Sequence, residues 1–126
     1  MFIVAESFHD SVFSNSETEI FTFNSSSEKD LFIRNWIEEN IKGNFLDEQV
    51  KFILENYQNS DPSYHLKYVW DEKDNEFIEG LDEELPWGIS FSSESEYFTL
   101  YILEDTISFT KNERKGYKQE LTIKEI

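Results

Sequence analysis

Apolar and polar positions change rhythm along the chain, and the changes predict the elements. Phe2-Ile3-Val4-Ala5 and Glu17 to Asn24 are rich in β-branched and aromatic residues and read as strands, with a polar turn over 11–16 making them a hairpin. Ser25-Ser26-Ser27 breaks that pattern, and Ser27 followed by Asp30 resembles a capping box, so a helix is predicted to start near Glu28. Leu31, Phe32, Ile33, Trp36, Ile37 and Ile41 form its broad apolar face, and Gly43 supplies the left-handed residue that ends it. Leu46, Val50, Ile53, Leu54 and Tyr57 recur at helical spacing and predict a second helix over 46–58, closed by the polar stretch 59–63.

After the helices the period becomes two. Tyr64, Leu66, Tyr68 and Trp70 alternate with His65, Lys67 and Val69, as in a half-buried strand. Further strand-like runs at 89–92, 96–103, 106–110 and 117–123 are separated by turns at 104–105 and 112–116, which predicts a C-terminal meander. Strands, two helices and more strands predict an α+β fold: an antiparallel sheet of about five to six strands with both helices packed on one face. At 126 residues, positions 1–126 are expected to form a single domain.

Composition narrows the function more than any motif does. With 38% hydrophobic and 17% aromatic residues the chain is too apolar for a disordered acidic tail. Asp and Glu number 27 against 11 Lys and Arg, a net charge of −16 that repels nucleic acid and anionic membranes and favours a basic partner. There is no Cys, hence no disulfide framework and no thiolate nucleophile or metal ligand. No apolar run has the length of a membrane span and residues 1–6 lack the basic start of a signal peptide, so a cytosolic location is expected.

The acids concentrate between Asp71 and Glu84, where eight of them stand against Lys73 alone. A charge run is commonly just a solvated loop or short helix. Here Phe77, Ile78, Leu81, Leu85, Pro86 and Trp87 are interleaved, and an apolar anchor within a charged rim is the composition of an interface. The candidate partner-binding residues are therefore Asp71, Glu72, Asp74, Glu76, Glu79, Asp82, Glu83 and Glu84, with Trp87 as anchor. A second candidate patch is Glu38, Glu39, Asp47, Glu48 and Glu55 on the helices. Residues 111–126 reverse the balance with Lys111, Arg114, Lys115, Lys118 and Lys124, which reads as a lysine-protected sheet edge.

Other chemistries find little footing. The calcium-loop pattern fails because Lys73 falls on a ligand position and Glu76 stands where Gly is required. His9 and His65 are far apart without flanking ligands, so no zinc site and no other cofactor is expected; His9 reads as a turn residue and His65 as exposed or partly packed. Ser26-x-x-Lys29 and Ser108-x-x-Lys111 match a hydrolase pattern too short to be informative, and enzyme function is not expected. Tyr64, Tyr68, Trp70, Phe98 and Tyr101 would suit base stacking, but such platforms lie in positive grooves, which favours core packing here.

In charge, size and lack of catalytic motifs the chain resembles the small acidic proteins of phages and mobile elements, including anti-restriction and anti-CRISPR proteins. That resemblance of composition implies an inhibitor whose carboxylates stand in for phosphates on a basic nucleic-acid-binding or nuclease surface of a host defence protein. Alternatives from the same charge are an immunity protein that neutralises a toxin nuclease and a non-catalytic adaptor domain; a small hydrolase is a fourth.

Overall fold

In the computed structural model, residues 1–10, 15–59, 63–111 and 117–126 are described. The expected turns at 11–16 and 59–63 fall largely outside them, and that at 112–116 wholly so. The elements run β1 (Phe2–Asp10), β2 (Asn15–Phe23), α1 (Ser26–Ile41), α2 (Asp47–Asn56), β3 (His65–Asp71), β4 (Glu76–Leu81), β5 (Gly88–Ser92), β6 (Phe98–Leu103), β7 (Thr106–Lys111) and β8 (Tyr117–Glu125). A short 3₁₀ turn occupies Glu94–Glu96. The fold is α+β, with an eight-stranded sheet in place of the five to six strands expected.

The sheet order is β2-β1-β8-β7-β6-β5-β3-β4, antiparallel except between β3 and β5. The meander β5 to β8 forms as predicted and returns the chain to β1, so Phe2 lies opposite Glu125. Two expectations at this end of the sheet change. β1 continues to Asp10 because each of its residues finds a partner in both β2 and β8, which places His9 in a strand and not in a turn. The C-terminal lysines do not guard an edge, since β8 is enclosed by β1 and β7; Lys118 instead pairs with Glu120 at 2.7 Å.

α1 begins two residues before the expected start because Ser25, not Ser27, is its cap: the Glu28 N–H donates to Ser25 Oγ at 3.2 Å. α2 opens where the Leu46 N–H donates to Gln49 Oε1 at 2.8 Å, a bond that places Gln49 in the interior. Both helices lie on one face of the sheet, as the apolar stripes predict. Ile33, Trp36, Ile37, Ile41, Val50 and Ile53 pack there with Val4, Leu66, Ile89, Phe91, Leu100, Ile107, Phe109 and Leu121. Aromatic contacts seal the layer: Phe32 meets Phe21 and Phe23, while Phe52 meets Tyr68, Phe77 and Phe91. Leu31 and Leu46, counted in the stripes, are exposed at their edges.

The second face is a field of short hydroxyls. Across it run Lys67, Ser90, Tyr101, Ser108 and Glu120 in register, so each serine lies between two longer side chains. That arrangement buries Ser90 and Ser108 without a covering helix. Neighbouring Ser92 and Thr99 bond each other at 3.1 Å. Among the described residues no buried side-chain polar atom lacks a partner.

Candidate functional site

The acidic run is a β-hairpin rather than a loop or short helix. β4 pairs with β3 from Leu66–Leu81 to Asp71–Glu76 without a break, and Phe77 packs against the core. The turn is made locally: the Lys73 N–H donates to Asp71 Oδ1 at 3.0 Å, and Asn75 takes the left-handed conformation at φ 52° that Asn tolerates. After β4, the Asp82 N–H donates to the His65 carbonyl at 3.0 Å, and Asp82 Oδ1 accepts from the Glu84 N–H at 3.0 Å.

This register scatters the predicted acids. Glu76 lies on the hydroxyl face and Glu79 on the helix-covered face, where the Tyr68 hydroxyl donates to it at 3.4 Å. Glu72 turns toward Glu94, whose carboxyl is held above its ordinary pKa by the hydrogen bond it shares with Glu72. Those two acids border an open hollow of about 570 Å³ with Leu46, Trp70 and Tyr97. Asp82 and Glu83 border another, of about 360 Å³, with Tyr64, Leu81, Leu85 and Trp87. Asp74 and Glu84 stand exposed in turns, and Asp71 is half-buried. Trp87 thus joins two of the eight acids at one hollow, not all of them.

Among the described residues a denser carboxylate site than either hollow forms elsewhere. Glu6 in β1 lies directly opposite Glu19 in β2, and Glu17, two residues from Glu19, projects on the same side. Above them α1 brings Trp36, Glu39 and Asn40, and together with Phe8 and Gln119 they line an open cleft of about 700 Å³. Four carboxylates share this cleft, and among the described residues no cationic side chain lines it. Only Glu39 was legible as a candidate, through the helix patch. Its neighbour Glu38 is neutralised by Lys42, whose hydrogen bond holds the carboxyl below the usual range. The signal for Glu6, Glu17 and Glu19 lay in hairpin register, which local patterning does not fix.

Among the described residues several of the chain's own bases are engaged. Lys29 bridges to Asp30 at 3.2 Å and lies 4.4 Å over the Phe2 ring; Lys67 bridges to Glu96 at 2.9 Å; Lys111 stands 4.9 Å over Tyr117. The carboxylates therefore dominate the outward field.

His65, expected to be exposed or partly packed, is only 1% exposed. Its Nε2 is 2.9 Å from Ser90 Oγ and its Nδ1 3.1 Å from the Pro86 carbonyl. This resembles a base beside a nucleophile, yet Ser90 is also 1% exposed, so no substrate reaches Oγ. The pair fastens the 82–87 segment to the sheet. Ser26, of the Ser-x-x-Lys pairs, donates instead to Asp30. Tyr68, Trp70 and Phe98 face the helices, with Tyr68 stacked on Phe91 at 5.5 Å, and are core residues. Among the described residues no group of three or more His, Asp or Glu is arranged to hold a metal ion, and no helix is long and apolar enough to cross a membrane.

No protein-family model matches the chain, and no curated protein or solved structure is significantly similar to it.

Proposed function

We propose that this domain acts by binding, without chemistry of its own, to a basic surface of another protein: a nucleic-acid-binding or nuclease surface whose phosphate sites its carboxylates occupy. In this reading it is an inhibitor of a host defence protein, of anti-restriction or anti-CRISPR type. The observation that carries the reading is the cleft where Glu6, Glu17, Glu19 and Glu39 converge, with no cation among the described residues that line it. Opposed like charges destabilise a sheet, so the Glu6–Glu19 pair is a cost that an external cation would relieve. A rigid hairpin and a helix hold the carboxylates in place, and a net charge of −16 steers a basic partner toward them.

The test is a pull-down from bacterial lysate with a salt titration of the retained proteins. Basic nucleic-acid-binding proteins are expected, released by salt and by competing DNA, and lost on Glu17→Lys/Glu19→Lys/Glu39→Lys. Retention of neutral or acidic partners that ignore salt would overturn the reading.

A further inference from the structure

We propose that the outer edge of β4 receives an extended, basic segment of the partner, which joins the sheet as an additional strand. The inference rests on the reading of a basic partner and specifies how part of it is held. β4 ends the sheet, and among the described residues no strand pairs with its outer side. Alternate backbone N–H and C=O groups of an edge strand point outward and are free to extend the ladder.

Edges are normally guarded by charged side chains, above all Lys, by Pro or by a bulge. Glu76–Leu81 contains no Lys or Pro and pairs with β3 one-to-one, without a bulge; its charged residues are Glu76 and Glu79, which repel an acidic strand and admit a basic one. It also presents apolar surface: Ile78 is 54% exposed on one face and Leu81 61% on the other. Beyond Leu81 the edge leads into the hollow of about 360 Å³ walled by Tyr64, Leu85 and Trp87 and rimmed by Asp82 and Glu83. The opposite edge, β2, exposes Ile20 and adjoins the carboxylate cleft already assigned to the basic partner, so β4 is the edge left for a separate extended segment.

Charge selects the occupant. Glu76 and Glu79 project on opposite faces of β4, so a strand with Lys or Arg on both faces meets a carboxylate on each. A second copy of this chain would bring two such acidic hairpins together, each on a molecule of net charge −16. A basic strand with an apolar residue for the hollow fits; a self-paired edge does not.

The full chain is titrated with a synthetic peptide of Lys-Lys-Val-Val repeats, which as a strand carries Lys and Val on both faces, and with the same peptide N-methylated on its pairing edge, while amide hydrogen exchange is followed. Binding of the first peptide with protection of amides 76–81, a loss of at least about tenfold on N-methylation, and a similar loss in Ile78→Lys/Leu81→Lys are expected. Equal binding of both peptides, or protection confined to the carboxylate cleft, overturns strand addition and leaves the basic-partner reading standing. No binding of either peptide also overturns it, whereas failure of the lysate experiment removes the basic partner itself. Protection of β4 that grows with protein concentration in the absence of peptide assigns the edge to a second copy and overturns the proposal.

Discussion

Gly88 lies so close to the carbonyl of Ile102 that a Cβ on Gly88 would overlap the Ile102 oxygen. Its φ of 151° is in addition a conformation that L side chains rarely adopt. This contact lets β5 enter the sheet between β3 and β6 directly after the 82–87 segment. Gly88→Ala is expected to destabilise the fold by about 2–4 kcal/mol, from backbone strain plus overpacking. Urea unfolding measures it, and an unchanged midpoint would contradict the close approach.

The buried imidazole makes stability depend on pH. Burial pushes the His65 pKa below its ordinary 6.5, against the opposing pull of the Pro86 carbonyl and the Asp82 carboxylate, with Lys67 reinforcing the shift. The unfolded chain therefore takes up a proton before the folded one does, and stability falls as pH drops below 6.5 until the folded-state pKa is passed. Thermal unfolding between neutral and mildly acidic pH should show that fall, and His65→Gln should remove its share of it.

Ser90→Ala takes away the side-chain partner that His65 Nε2 has among the described residues and leaves a buried ring nitrogen without it. A loss of about 1–3 kcal/mol is expected. Chemical denaturation measures it, with faster amide exchange in the 82–87 segment if the pair fastens that segment.

In the carboxylate cleft, stability and binding should move in opposite directions. Glu19→Gln removes the repulsion across the Glu6–Glu19 pair and is expected to raise stability by about 0.2–1 kcal/mol while weakening association with a basic partner. Melting temperature and association rate, measured on the same variant, decide the matter; a drop in both would mean that Glu19 has a structural role.

At α1 the single cap bond from the Glu28 N–H to Ser25 gives a local test. Ser25→Ala should cost about 1 kcal/mol, whereas Ser27→Ala should have little effect. Helical circular dichroism and denaturant midpoints separate the two.

The helices and β3 were legible because each carries a strong local period: the α2 stripe buries Val50 and Ile53, and the alternation in β3 buries Leu66 and Trp70, with Tyr68 half-buried. β4 was hidden because the glutamates of an edge strand mimic a solvated run. The second half of β1 was hidden because Glu6, Ser7, His9 and Asp10 gain strand structure only from neighbours on both sides. Sheet order was out of reach for the same reason. Nothing local in the lysines of β8 tells that β1 covers them, and nothing in Glu6 or Glu19 tells that they meet. Site composition was therefore readable as charge, while its geometry depended on pairings between distant segments.

The pairing of Phe2 with Glu125 also dictates an order of assembly. β1 can form its hairpin with β2 early, since that loop is short, but its other edge remains open until the last strand arrives across nearly the whole chain. Hairpin β3–β4 and the meander can form in the meantime, and joining them to β1–β2 through β8 is the slow, entropically costly closure. Apart from each other, β1–β2 and the β3–β8 half would each leave an inner edge unpaired, the kind of edge through which sheets aggregate, and a net charge of −16 opposes that association.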